Sequence, residues 1–306
     1  MPELPSLRVN DQDGVLYVDF AHPPMNLLDA ELARQLTDLV GVLERDGNTR
    51  VVVFGSDDPD YFLAHYDVAD LLDRAAPPAR LGGLKPFHQL LERYRALPQV
   101  TIGRVEGRAR GAGSEFLLAL DMRFAALGAG TFGQFEVAVG LLPGGAGTQN
   151  LPALIGQARA LEVILGGADV DAELAERYGW VNRALPPDQL PKFVDSLARR
   201  IARFPATAVQ RAKRSVQLAA NSRYEGLQEE AHLFNELLAL PDTRRRMKAF
   251  LEAGGQTRRG ELDLAWLWAD DPQRPSSPAP AATKSRSFDQ EEVRDATDRV
   301  TRATLR

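Results

Sequence analysis

The chain has 306 residues, 44% of them hydrophobic and 26% charged, with a formal net charge of −5 and no cysteine. This is the composition of a soluble globular protein with one large core or two modest ones, and its mild acidity argues against a nucleic-acid partner. The lack of cysteine excludes disulfides, thiolate metal sites and a cysteine nucleophile, and fits a cytoplasmic protein.

No signal pattern opens the chain, and no apolar run approaches the ~18–20 residues of a membrane span. In chain order, residues 15–20 (VLYVDF) read as a buried strand. A helix follows over 29–45, where Leu32, Leu36, Leu39, Val40 and Leu43 recur at helical spacing. Asp29 is placed to cap its start, and Gly47 lies just past its end. Residues 51–54 (VVVF) read as the next strand, and 75–86 (AAPPARLGGLKP) as a long irregular stretch suited to an active-site wall. A helix over 87–97, a strand over 100–105, a helix over 113–121 and a strand over 123–126 continue the alternation. Strands alternating with helices predict an α/β layer.

After residue 150 the pattern turns helical, with segments 157–166, 171–178, 188–203, 206–220, 224–238 and 242–253. Pro152, Pro186, Pro187, Pro205 and Pro241 punctuate them. Residues 272–287 (PQRPSSPAPAATKSRS) have the composition of a disordered linker, and 288–306 form a charged tail. There is no P-loop, no G-x-S-x-G elbow and no dinucleotide fingerprint. His22, His65, His88 and His232 share no metal-ligand spacing, so no metal site is expected.

Two glutamates stand out. Glu115 closes Gly111-Ala112-Gly113-Ser114-Glu115, where a strand turns into an apolar helix. The first N–H groups of a helix lack internal partners and sit at the positive end of its dipole, so they can hold an anionic oxygen. Glu136 closes Phe132-Gly133-Gln134-Phe135-Glu136, just ahead of Pro143-Gly144-Gly145-Ala146-Gly147-Thr148-Gln149. Paired carboxyls beside small residues suit division of general-acid and general-base work. Singly, Glu115 also reads as a helix-dipole partner and Glu136 as a solvated loop residue.

Taken in order, these motifs resemble the crotonase, or enoyl-CoA hydratase/isomerase, superfamily. Its G-x-x-x-G-G-G-x-E-like turn is similar to Gly107 through Glu115, and its F-G-x-P-E segment to Phe132 through Glu136. Its G-x-x-P-G-x-G-G-T-Q run is similar to Gly140 through Gln149, and its A-x-x-x-G-L-V segment to Ala175 through Val181. Phe62-Leu63-Ala64-His65-Tyr66-Asp67-Val68 stands in place of F-x-A-G-A-D-I, and Asn26-Leu27-Leu28 in place of N-A-L. The resemblance is collinear over roughly 8–255.

The resemblance implies an α/β spiral of repeated β-β-α units with C-terminal helices that build trimers or hexamers. The division it suggests is a catalytic core over 1–200, an oligomerisation region over 201–271 and the tail 272–306. It implies an acyl-CoA thioester as substrate, with coenzyme A entering only as part of it and no separate cofactor. The backbone N–H groups of Tyr66 and Ala112 would form the oxyanion hole. Glu115 and Glu136 would be the acid/base pair of an enoyl-CoA hydratase, with Ala64, His65, Asp67, Val68, Gly111, Pro143 and Gly144 lining the substrate. Isomerase, thioester hydrolase, C–C lyase, decarboxylase and a non-catalytic acyl-CoA-binding subunit remain the alternatives.

Several positions depart from the family pattern. Ala112 replaces glycine, which is tolerable at negative φ. His65 and Tyr66 replace small residues, and His65 is a candidate third acid/base group. Phe135 replaces the proline before Glu136. Ala69 stands where a CoA-binding cation is common, leaving Arg74, Arg80, Lys85, Arg258 and Arg259 as candidates for that role.

Overall fold

The chain begins its ordered course with a hairpin: strands β1 (Leu7–Gln12) and β2 (Val15–Phe20) pair antiparallel through an Asp13-Gly14 turn. Both turn residues have positive φ, which is what a two-residue hairpin loop demands and what Asp-Gly tolerates. The computed structural model describes residues 3–72, 84–218, 240–242, 245 and 252. Two units divide the chain, Met1–Ala249 and Phe250–Arg306, and only Glu252 of the second is among the described residues. The helix expected over 224–238, most of that expected over 242–253, the linker and tail, and most of the 75–86 stretch therefore lie outside the described residues.

The elements after the hairpin are helix α1 (Ala30–Leu43), β3 (Val51–Ser56), β4 (Tyr61–Leu63), α2 (Val68–Leu72), α3 (Pro86–Ala96), β5 (Val100–Val105) and β6 (Arg108–Arg110). They continue with α4 (Ala112–Ala119), β7 (Met122–Ala126), β8 (Thr131–Gly133), a 3-10 turn (Glu136–Val139), α5 (Gly147–Ile155) and α6 (Gln157–Gly166). Then come β9 (Val170–Asp171), α7 (Ala172–Tyr178), β10 (Arg183–Leu185), α8 (Leu190–Ala202) and α9 (Ala206–Leu218).

These strands build two sheets. The larger runs β1-β2-β3-β5-β7-β10, and the smaller runs β4-β6-β8-β9. From β3 onward each β-β unit gives its first strand to the large sheet and its second to the small one. The units β3-β4-α2, β5-β6-α4 and β7-β8 followed by the 3-10 turn are thus successive turns of one α/β spiral. Pairing is parallel along β2-β3-β5-β7-β10 and along β4-β6-β8. This is the crotonase-type α/β spiral that the motifs imply.

The continuous apolar run of β3 follows from cover on both faces, as parallel sheets require. Val52 and Phe54 point into a core shared with α1, α3 and α4, while Val51 and Val53 point into a second core under α8. In the first core Phe20, Phe54, Tyr94 and Phe116 meet edge to face at 5.1–5.7 Å, geometry that their ring quadrupoles favour.

Local signals place several helices. Asp29 caps α1 by accepting from Leu32 N–H at 2.8 Å, and Asp171 caps α7 from Leu174 N–H at 2.7 Å. Pro152 does not end a helix as expected but sits inside α5, which runs on for only three more residues. Against β5, α9 is tied by Lys213, which reaches Gln99 O at 2.7 Å and the Asp121 carboxylate at 2.7 Å. No helix among the described residues is long and apolar enough to cross a membrane.

Candidate active site at the strand ends of the small sheet

Three parallel strands of the small sheet end side by side, and each hands the chain to one part of the site. After β4 come Ala64, His65 and Tyr66; after β6 come Gly111, Ala112 and Glu115; after β8 come Gln134 and Glu136. The ladder between the last two continues past the strands, with Gly111 N–H donating to Gly133 O at 2.9 Å. Residues far apart in sequence are therefore brought together by register alone.

The β4 end is fixed by Asn26, which is buried with φ of 53°, a conformation asparagine tolerates. Its side-chain amide donates to Ser56 Oγ and to the carbonyls of Tyr61 and Phe62 at 2.9–3.2 Å, while Ala64 N–H donates to Asn26 O at 3.2 Å. Leu28 then pairs with Tyr66: Leu28 N–H donates to His65 O at 2.8 Å, and Asp67 N–H to Leu28 O at 3.1 Å. In this parallel pattern the neighbours of Tyr66 make the bonds, so its own N–H and C=O face away from Leu28.

The β6 end turns into α4 through Gly111, with φ of 48° and ψ of −122°, a region closed to other residues. A Cβ at Gly111 would meet Glu136 Oε1 at 3.0 Å, His65 Cβ at 3.5 Å and Phe135 Cε1 at 3.6 Å. His65, Phe135 and Glu136 thus converge on this bare backbone. At Gly113 a Cβ would fall 2.2 Å from Leu63 O, so glycine lets α4 press against β4. Among the described non-glycine residues only Asp13, Asn26 and Ala146 have positive φ, so Ala112 meets the condition set for it. As first residue of α4 its N–H has no partner within its own helix.

Glu115 is 2% exposed. Its Oε1 accepts from Gly145 N–H at 2.7 Å and from Gly147 N–H at 2.9 Å. Between those two glycines Ala146 is left-handed, with φ of 72°, and the turn it makes aims both amides at one oxygen in an anion-holding nest. Ala146 stands where the family motif carries glycine, so this turn holds backbone strain. Burial raises the Glu115 pKa from 4.5 to about 7, against the pull of the two amides, and the Glu136 charge adds to the rise. Burial also raises Glu136.

Gln134 and Ser114, both fully buried, are functional neighbours that the sequence reading missed. The Gln134 amide nitrogen donates to both Glu136 oxygens, at 3.0 and 3.1 Å. Its oxygen then faces the Ser114 hydroxyl, 3.3 Å away, which donates to it. A chain of neutral groups thus runs from α4 to the Glu136 carboxylate. Phe87 was missed as well: its ring lies against Gly145, where a Cβ would be 2.4 Å from Cε1 and 2.5 Å from Glu115 Oε2. Tyr66 meets Phe87 edge to face at 6.2 Å.

The other expected lining residues are more scattered. Ala64 is buried and Pro143 is buried, while Gly144 and Val68 are exposed, and Asp67 accepts from Ala69 N–H at 2.9 Å. Of the cations proposed for CoA, Lys85 is exposed at the start of α3 and close enough for its charge to lower the Glu115 pKa. Arg74, Arg80, Arg258 and Arg259 lie outside the described residues. Among the described residues no group of three His, Asp or Glu side chains is placed to hold a metal ion.

A family model for enoyl-CoA hydratase/isomerase matches residues 10–257. The chain is 30% identical to the crotonyl-CoA hydratase of Syntrophomonas wolfei, covering 80% of this chain and 94% of that one. It is also 30% identical to the 2,3-dehydroadipyl-CoA hydratase of Escherichia coli, covering 80% and 95%. A crystal structure of an enoyl-CoA hydratase-type protein from Streptomyces avermitilis aligns with 40% identity and a TM-score of 0.65, over 86% of this chain and 97% of that one.

Proposed function

The chain belongs to the enoyl-CoA hydratase/isomerase family, and on that premise we propose that it adds water across the 2,3 double bond of a 2-enoyl-CoA thioester. The observation that carries the reading is the pairing of two carboxyls of raised pKa, the buried Glu115 held by Gly145 and Gly147 and the half-buried Glu136 against the bare backbone of Gly111, close enough that the Glu136 charge raises Glu115. A carboxyl poised near neutral pH can both take and give a proton.

In the mechanism, the thioester oxygen sits between the N–H groups of Tyr66 and Ala112. Oε1 of Glu115 is held by Gly145 and Gly147, which leaves Oε2 to face a water. Glu115 takes a proton from that water as its oxygen bonds to C3. The electron pair of the double bond moves onto the thioester, and the negative charge collects on the oxygen in the oxyanion hole. Glu136 then gives its proton to C2, and the two carboxyls exchange protons with solvent to reset. Coenzyme A is held as part of the substrate, and no separate cofactor takes part. The same reading makes the working unit a homo-trimer or hexamer formed through 201–271, which light scattering after size exclusion tests.

The deciding experiment is a spectrophotometric assay of the purified protein against 2-enoyl-CoA thioesters of graded chain length. Loss of the conjugated enoyl-thioester absorbance, abolished in Glu136→Gln, is the expected result. Binding of the thioesters without hydration assigns the site to isomerase, hydrolase or lyase chemistry instead, and absence of binding overturns the acyl-CoA reading.

A further inference from the structure

We infer that the Phe87 ring is the cover that keeps bulk solvent off the Glu115 carboxyl, so that water reaches its free oxygen only from the substrate side. The inference rests on the proposed role of Glu115 as the base, and it makes Phe87 a positioning residue that acts through that carboxyl.

Helix α3 is built to put the ring there. Phe87, Leu90, Leu91 and Tyr94 recur at i, i+3, i+4 and i+7 and share one face of the helix. Leu90, Leu91 and Tyr94 anchor that face in the core shared with α1 and α4, and the Tyr94 hydroxyl donates to Leu36 O at 2.8 Å. The first member of the stripe extends it to the site. A Cβ built on Gly145 would lie 2.4 Å from Phe87 Cε1, 2.7 Å from Phe87 Cδ1 and 2.5 Å from Glu115 Oε2. Cε1 and Oε2 are therefore at most 4.9 Å apart, the sum of 2.4 and 2.5 Å, across backbone that carries no side chain. A water on the line between them would need about 2.8 Å to the carboxyl oxygen and about 3.5 Å to the ring carbon, which is more than that span. Exposure changes across this contact. Glu115 is 2% exposed and Gly145 is buried, whereas Phe87 is half-buried and Gly144 is exposed. The Tyr66 ring braces Phe87 edge to face at 6.2 Å. The family pattern leaves position 145 open, and the glycine found there in this chain lets ring and carboxyl close on each other.

Burial is the largest cause of the rise of the Glu115 pKa from 4.5 to about 7. The Glu136 charge, from the 3-10 turn, adds to the rise, while the amides of Gly145 and Gly147 and the charge of Lys85 at the start of α3 pull against it. Removing the ring admits water to Oε2 and leaves those groups in place, so the pKa should fall. A base works ionised, and kcat/KM declines as pH drops through its pKa. A lower pKa moves that acid limb to lower pH.

Phe87→Ala keeps the rest of the stripe that anchors α3, and Phe87→Met replaces the ring by an apolar chain of similar reach. We would measure the pH dependence of kcat/KM for a short 2-enoyl-CoA in both variants. Independently of turnover, urea denaturation at pH 5 and pH 8 would read how far Glu115→Gln changes stability in the wild-type and Phe87→Ala backgrounds. Phe87→Ala is expected to move the acid limb down by about one pH unit, a tenfold change in proton affinity, and to shrink the pH-dependent part of the Glu115→Gln effect by the equivalent of the same tenfold. Phe87→Met is expected to leave the limb near its wild-type position. An unmoved limb or an undiminished Glu115→Gln effect in Phe87→Ala would overturn the cover and leave the hydratase reading standing, as would a Phe87→Met limb displaced as far as that of Phe87→Ala. A wild-type protein that hydrates no 2-enoyl-CoA would overturn the hydratase reading and the part of Phe87 in it, and the denaturation measurement then decides by itself whether the ring covers the carboxyl.

Discussion

Replacing Glu115 by glutamine should stabilise the protein at alkaline pH while removing its activity. The carboxyl is buried in the first turn of α4, and burial lifts its pKa from 4.5 to about 7. Between those values the folded chain binds more protons at this position than the unfolded chain does, so stability falls as pH rises through the window. The penalty is absent below pH 4.5, grows toward pH 7 and is constant above it. At about 1.4 kcal/mol for each tenfold change in proton affinity, the full cost is roughly 3 kcal/mol. That is a large share of the ~5–15 kcal/mol that holds a domain folded. Glutamine carries no charge at any pH, and its Oε1 still accepts from Gly145 and Gly147. Urea denaturation of both proteins at pH 5 and pH 8, at one ionic strength, reads the difference. Glu115→Gln should gain about 2–3 kcal/mol over wild type at pH 8 and under about 1 kcal/mol at pH 5. A difference independent of pH, or a wild type that is the more stable at pH 8, would refute the assignment of the raised pKa to this carboxyl.

Four further substitutions test other parts of the structure. Ala112→Pro removes one N–H at the first helical position, where proline is tolerated, so the fold should persist while kcat falls by about 10²–10³ in a hydration assay. Gln134→Leu takes two amide contacts from the Glu136 carboxylate; hydrogen bonds to charged groups are worth about 1.5–3 kcal/mol, so kcat should drop roughly 10- to 100-fold with acyl-CoA affinity unchanged by calorimetry. Ala146→Gly relieves the left-handed strain between the two amides that hold Glu115, and should raise the urea midpoint by a net gain of roughly 0.5–1 kcal/mol. Arg123→Met should cost at least about 3 kcal/mol in the same denaturation assay, because the buried guanidinium donates to the carbonyls of Leu117, Leu120 and Trp180 at 2.9–3.1 Å and methionine removes all three of those hydrogen bonds.

The elements legible from sequence were those long enough to show a period. Helix α1 repeats Leu32, Leu36, Leu39 and Leu43 on its buried face and carries its own cap, so its place at Ala30–Leu43 followed from 29–45 with little error. Strand β3 was legible from apolarity alone because both of its faces are covered. The small sheet was nearly invisible. Its strands β4, β6 and β8 are three residues each and β9 is two, too short to show alternation against a background of turns. Strand β1 was missed for a different reason: it is an edge strand with only Leu7 buried. Helix α5 hides behind contrary signals, since Ala146 enters it left-handed and Pro152 sits within it.

The site was legible to the degree that its chemistry needed unusual residues. Glycine beside a carboxyl is a visible combination: Glu136 lies against Gly111, and Glu115 is held by Gly145 and Gly147. Gln134 and Ser114 gave no such signal, because a neutral amide and a hydroxyl acquire a role only when β8 and α4 are brought side by side. His65 was visible as a departure but not in its contacts. A histidine near paired carboxyls invites a reading as an acid or base, yet its Nδ1 lies 2.8 Å from the backbone carbonyl of the next residue. The distinction lies in what each nitrogen touches, and no pattern of residue types records that.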